Sequence, residues 1–317
     1  MKKLLFAFAF ISTSIFSQEY PTRPVTAIIP FSSGSASDVI ARIVLERVSA
    51  SVGQRFLVDN RPAAGGIVGT GQAAKAEADG YTLVMGASGP LVVNKILNPA
   101  VTFDPERDFQ PISLYANLPN IVTVSAKTSL QSLAELIQYV KESPDTPYSS
   151  VGNGSSQHLA GALFSQLTGA KMQHVPYRIT AQLSADLISG QVPLSFQLLP
   201  NVIGGIKSGQ LRPLAVAAKN RLPALPNVPT AAEAGVKGYE SSAWFGFVGP
   251  RGMPKPAVDR LAKEVAAATA DPAVRGRFAD FGAEPLGSTP EEFGRFISSE
   301  LARYREIITR GGITLDP

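Results

Sequence analysis

Twice along this chain an apolar run that reads as a strand breaks into a loop of small hydroxylated residues and glycine, and a helical pattern starts straight after it. The first copy is AIIPFSSGSASDVIARIV, Ala27 to Val44. The second is PYSSVGNGSSQHLAGALFSQLTG, Pro147 to Gly169. A strand that feeds a helix through a short loop is the building unit of α/β architecture, so mostly parallel sheets flanked by helices are expected.

The rest of the chain follows the same grammar. Val25–Ile29 reads as a strand and Ala36–Ala50 as a helix with Val39, Ile43, Val44 and Val48 on one face. Arg55–Val58 and Thr82–Met85 read as strands around a glycine-rich turn and a short helix at Ile67–Ala76. Ile112–Ala116 and Ile121–Val124 read as one extended segment interrupted around Pro119. The pattern then restarts. Ser132 and Glu135 make a capping box ahead of a helix at Leu133–Lys141. In the second copy Leu159, Leu163 and Leu167 fall in helical register, and Gly169 closes the helix. Val192–Phe196, Pro213–Ala217 and AWFGFVGP supply strands, LPALPNVPTAAEAG a proline-rich connection, and Ala257–Ala270 and Glu291–Ile308 long helices. Two α/β lobes follow from this restart: residues 18–120 with 226–317, and an inserted lobe at 121–225, so the chain crosses between them twice.

Composition narrows the function. The chain opens with Lys2 and Lys3, an apolar stretch from Leu4 to Ile11, and small residues up to Ser17, the order of a cleavable secretory signal over residues 1–17. An exported, periplasmic protein is expected. Removing the two lysines leaves 27 basic against 25 acidic side chains, and no basic cluster with interleaved aromatics suggests nucleic acid. There is no cysteine, hence no disulfide framework, thiolate metal site, cysteine nucleophile or lipid-anchored N-terminal cysteine.

The two small-residue loops, Phe31–Asp38 and Ser149–His158, share one property. Each sets backbone N–H groups and serine hydroxyls at a helix N-terminus, where the macrodipole favours an anion. Ordinary helix capping explains either loop alone. Two such loops in two lobes, each longer than a cap needs, point instead to a shared anion site. Other chemistry is thinly supplied. Gly69-Thr70-Gly71-Gln72-Ala73-Ala74 imitates a dinucleotide motif, but no strand precedes it and no acidic residue follows about twenty positions on. No phosphate loop or nucleophile elbow occurs, and His158 and His174 are the only histidines. His158 reads as a packing or hydrogen-bonding residue, Asp38 as a helix-terminus stabiliser, and Trp244 as core or hinge packing. Arg178 is either a bidentate carboxylate contact or a solvated rim charge.

The stretches YPTRPVTAIIPF, VDNRPAAGGIVGTGQAAKAEADGYTLVMG, SSVGNGSSQHLAGALF, HVPY, LRPLAVAAKNRLPALPNVPTAAEAG and WFGFVGP, in this order, resemble the Bug family, the periplasmic solute receptors of tripartite tricarboxylate transporters. The resemblance implies a two-lobed type II periplasmic binding fold with the ligand cleft between lobes. It implies ligand contacts from Phe31, Ser32, Ser33, Gly34, Ser35, Ala36 and Ser37, from Gly86, Ala87 and Ser88, and from Ser149, Gly152, Asn153, Gly154, Ser155 and Ser156. Tyr177, Arg178 and Gln197 complete the expected set. The chain departs from the family pattern at Ser33 and Ser35 in the first loop, at Arg178-Ile179 after HVPY, and at Gln197, where an acidic residue is common. The expectation is a monomeric, non-enzymatic receptor without cofactor or metal, binding a small organic carboxylate and delivering it to a membrane permease. The alternatives are a ligand-sensing receptor for a signalling partner and a hydrolase that recruits serines in the same cleft.

Overall fold

The computed structural model describes residues 20–311 and residue 314, so the expected signal peptide lies outside the described residues. In chain order the elements are β1 Val25–Ile29, α1 Ala36–Val52, β2 Phe56–Asn60, α2 Ile67–Ala73, β3 Thr82–Ala87, α3 Asn94–Leu97, β4 Phe109–Ser125, α4 Leu133–Glu142, β5 Thr146–Ser150 and α5 Ser156–Thr168. They continue as β6 Met172–Pro176, α6 Thr180–Ser189, β7 Leu194–Leu198, α7 Leu199–Lys207, β8 Leu211–Val216, β9 Ser242–Pro250, α8 Lys255–Ala270, α9 Pro272–Asp280, β10 Glu284–Pro285 and α10 Pro290–Gly311. A short 3₁₀ turn, Ala64–Gly66, precedes α2, and a π-helical turn, Ser88–Val93, precedes α3.

One long strand organises everything. The sheet order is β2-β1-β3-β9-β4-β7-β5-β6, with β8 and β10 also paired to β4. The first part of β4, Phe109 to Pro119, pairs with β9, and the last part, Asn120 to Val124, pairs with β7. Helices flank both halves, giving the two-lobed α/β fold. Parallel pairing holds on the flanks, β1 with β2 and β3, and β5 with β6 and β7. Every pair that involves β4 or β9 is antiparallel, so the centre of the sheet is less parallel than the sequence pattern suggested.

Pro119 does not interrupt β4, contrary to the sequence expectation. Its missing N–H falls where β9 begins, opposite Ser242, and the next residue restores the ladder with the Asn120 N–H donating to Ser241 O at 2.8 Å.

Each half has its own core. Ile29, Ile40, Val44, Met85, Phe247, Leu261 and Phe278 pack in the first, and Val122, Leu136, Tyr148, Phe164, Phe196 and Tyr239 in the second. The register of α5 differs from the expected leucine row: Leu159 is buried, Leu163 half-buried and Leu167 exposed. A row taken in steps of four drifts around a 3.6-residue helix. Ala160 and Phe164, both fully buried, form the face toward the sheet. Both helices that start from the small-residue loops end on left-handed glycines, Gly169 at φ 72° as expected and Gly53 at φ 69°, which carries α1 past Ala50 to Val52.

Candidate functional site: the seam between the lobes

The first loop folds onto its own helix and then onto the opposite lobe. Ser35 caps α1 by accepting the Asp38 N–H. The buried Asp38 carboxylate accepts the Gly34 N–H, Asn60 Nδ2 and Arg42 Nε, each at 2.9 Å. An anion fixed in the first turn offsets the helix dipole, the role expected for Asp38. Two contacts then leave the lobe. The Ala36 N–H donates to Asn201 Oδ1 on α7 at 2.6 Å. Ser32 Oγ lies 2.9 Å from Thr180 Oγ1 and accepts the Thr180 N–H at 3.2 Å.

The second loop is braced by histidine. The Gly154 N–H donates to His158 Nδ1 at 3.1 Å, and Ser155 Oγ caps α5 by accepting the His158 N–H. His158 and His174 stack with ring centroids 4.0 Å apart, and His174 Nε2 lies 2.6 Å from Ser150 Oγ. The ring of His158 therefore shapes the loop, as its placement in the sequence suggested. Beneath it, Ser149 Oγ donates to Ser195 Oγ at 2.8 Å, and Gln197 Nε2 also donates to that hydroxyl at 2.8 Å.

A third loop, Gly86, Ala87 and Ser88 at the end of β3, is buried beside the second. The contacts are close enough to demand glycine. A Cβ on Gly89 would stand 2.9 Å from the Gly154 carbonyl oxygen, and one on Gly65 would run into the Asn153 carbonyl oxygen. Among the described residues, three buried polar atoms along this seam have no protein partner: Ser88 Oγ, Asn94 Oδ1 and Asn153 Oδ1. A buried polar atom without a partner costs about 1–3 kcal/mol, so a cluster of them marks a place suited to a polar guest.

A cavity of about 390 Å³ opens from the seam. Of the expected site residues, Phe31, Ser32, Gly152, Asn153, Tyr177 and Arg178 line it. Ser35, Ala36, Ser37, Gly86, Ala87, Ser88, Ser149, Gly154, Ser155, Ser156 and Gln197 are buried without lining it, whereas Ser33 and Gly34 face solvent. Arg178 reaches across the seam, its Nε donating to Pro62 O at 2.9 Å. Burial first, and then the hydrogen bond to Asp186, push the Tyr177 phenol up to about 12, so it stays neutral and protonated. Sequence reasoning missed the Pro62–Gly66 turn, Asn94, Thr180 and Asn201. The turn carried a usable signal in the consecutive Gly65-Gly66 pair, and both residues are left-handed, at φ 62° and 94°. Asn94, Thr180 and Asn201 carried none, because each acquires its meaning only across the seam.

A larger crevice, about 570 Å³, lies between α5 and α10 and is lined by Leu159, Leu163, Leu222, Arg303 and Tyr304 among others. It includes none of the three loops. Among the described residues no group of three or more His, Asp or Glu side chains is placed to hold a metal ion.

The class of protein is now defined: two α/β lobes joined by crossing strands, closing on a polar seam, form a type II periplasmic binding fold. The chain matches the tripartite tricarboxylate transporter family receptor over residues 40–313 and belongs to that family. It is 34% identical to protein BugT of Bordetella pertussis over 98% of this chain and 96% of that one. Rpa4515 of R. palustris, solved with adipate, superposes with a TM-score of 0.90 at 36% identity over 93% of this chain and 99% of that one. MatC of Rhodopseudomonas palustris, solved with bound malate, superposes with a TM-score of 0.84 at 30% identity over 91% of this chain and 100% of that one. Such proteins are solute receptors rather than enzymes. Among the described residues no helix is long and apolar enough to cross a membrane.

Proposed function

We propose that this receptor captures a small organic carboxylate in the seam between its lobes and hands it to the membrane subunits of a tripartite tricarboxylate transporter. The observation that carries this reading is the meeting of loops from opposite lobes around three buried polar atoms that lack protein partners. Ser88 can donate its hydroxyl to a carboxylate, and the amide oxygens of Asn94 and Asn153 suit a ligand hydroxyl or a bridging water. The adipate and malate in the two solved relatives support a carboxylate as the guest. A solute that touches both lobes binds only the closed form, and this difference in affinity drives closure.

The receptor works as a monomer in the periplasm after loss of residues 1–17. The outward crossing near residue 120 follows the sequence reading. Packing of Ala231, Val236 and Tyr239 in the second core, with the Tyr239 hydroxyl donating to Ala160 O at 3.0 Å, supports a return crossing near Ser241 rather than at 226.

Thermal unfolding in a panel of mono- and dicarboxylates, with adipate and malate as first probes, tests the ligand class. An acid at about a hundred times its dissociation constant stabilises the fold by roughly 2.7 kcal/mol. A flat response across the panel rejects the carboxylate.

A further inference from the structure

Two helices in this protein have their first N–H accepted by a side chain of the opposite lobe, α1 in addition to its own Ser35 cap. The first N–H of α1, on Ala36, is accepted by Asn201 Oδ1 from α7. The first N–H of α6, on Thr180, is accepted by Ser32 Oγ from the first loop, and α6 has no side-chain cap from its own Ile179. The exchange is reciprocal: each lobe caps a helix of the other. Both Ser32 and Thr180 are buried, so the bond between them has no water as a ready substitute while the lobes are together, whereas the Ala36–Asn201 bond is part-buried. Asn201 is held in place from behind. Its Nδ2 donates to Gln197 Oε1 at 2.7 Å, and Gln197 is fixed in turn by Ser195 and Ser149.

We propose that these exchanged caps form a latch that favours the closed form without a ligand, with Asn201 and Ser32 as its positioning residues. The lone N–H groups of a helix end must find acceptors. When the lobes part, water replaces them, but it replaces an ordered, desolvated bond with a mobile one. An N-cap contributes about 1 kcal/mol, equivalent to about a fivefold change in an equilibrium. Two exchanged caps therefore shift the balance between open and closed by about twenty- to thirtyfold when independent. The latch rests on the interlobe reading of the seam and extends it, because it moves part of the closure energy from the solute to the protein. A solute then needs fewer contacts with α1, whose N-terminus already holds Asp38 and Asn201. Gln197 gains a role distinct from ligand contact, as the residue that orients the latch.

The test reads lobe separation with no solute present, so its outcome does not depend on whether a carboxylate binds. The chain has no cysteine. Cysteines placed at the exposed Leu57 on β2 and Leu167 on α5 therefore carry spin labels without interference. Pulsed electron resonance on protein freed of co-purified solute gives the distance distribution. The expected result is a closed population that falls about fivefold relative to the open one in Asn201→Leu, about as much in Ser32→Ala, and further in the double variant. Asn201→Asp, which keeps an acceptor for the Ala36 N–H and gives up the Nδ2 bond to Gln197, opens less than Asn201→Leu. Thermal unfolding run alongside confirms that each variant is folded. An unchanged distribution in the double variant overturns the latch. So does opening by Asn201→Asp equal to that by Asn201→Leu, because the capping acceptor would then not be what holds the lobes.

Discussion

Replacing Gly65 with alanine is expected to weaken solute binding about tenfold to a hundredfold while leaving the protein folded. The added methyl group has nowhere to go in the closed form, where it meets the Asn153 carbonyl oxygen of the other lobe. Overpacking of a closed interface costs about 1–3 kcal/mol, and every 1.4 kcal/mol is a factor of ten in affinity. The backbone at Gly65 is left-handed, φ 62°, which adds about 1–2 kcal/mol of local strain for any residue with a Cβ. That strain is present in open and closed forms alike and lowers the unfolding temperature by a few degrees at most. The steric clash exists only when the lobes meet. Isothermal titration and thermal unfolding of the same samples separate the two effects. Normal affinity in Gly65→Ala shows that the solute does not require this contact and contradicts closure around the seam.

Phe164→Ala is the substitution with the largest expected effect on stability. Phe164 is fully buried, with its ring centroid 5.3 Å from that of Phe196 on β7 and 5.5 Å from that of Tyr239. It joins α5, the sheet and the long connection after β8 into one core. Truncation of such a side chain costs about 3–5 kcal/mol, a large part of the roughly 5–15 kcal/mol that holds a typical domain together, through lost transfer energy and the cavity left behind. Urea denaturation is expected to show an unfolding free energy lowered by that amount and a correspondingly lower midpoint. The second loop suffers as well, because Gly152–Ser155 is anchored to the first turn of α5 by His158. A loss below 1 kcal/mol contradicts the role given to this cluster. The exposed Arg107 and Lys255 side chains, paired with Asp108 and Asp259, provide the contrast, since surface pairs of this kind contribute little and their loss leaves the midpoint unchanged.

Local signals and cross-lobe signals differ sharply in how far the sequence reveals them. The N-cap at Ser132, the stop at Gly169, the strand Val25–Ile29 and the helix starting at Ala36 rest on neighbours a few residues away, and all stand in the structure, although Glu135 reaches back to the Gln131 N–H rather than to that of Ser132. The antiparallel centre of the sheet was hidden because β4 pairs with β9, whose residues come more than a hundred positions later. Helical patterning was partly misleading in α5. Its leucines catch the eye, yet Phe164 and Ala160 take the buried face. At the site, the serine loops were legible from their composition, but their use was not. Ser35 and Ser155 cap their own helices, Ser32 caps one in the opposite lobe, and Ser149 braces Ser195. The glycines proved the more telling residues, because close approach across the seam excludes any side chain at Gly65 and Gly89.

Hydrogen–deuterium exchange with and without the acid that binds in the thermal panel tests capture between the lobes most directly. The account predicts slower exchange at once in peptides covering residues 31–38, 62–66, 86–94 and 150–158, which belong to both lobes. Slowing confined to one lobe, or centred on residues 217–223 and 303–307 around the larger crevice, contradicts it.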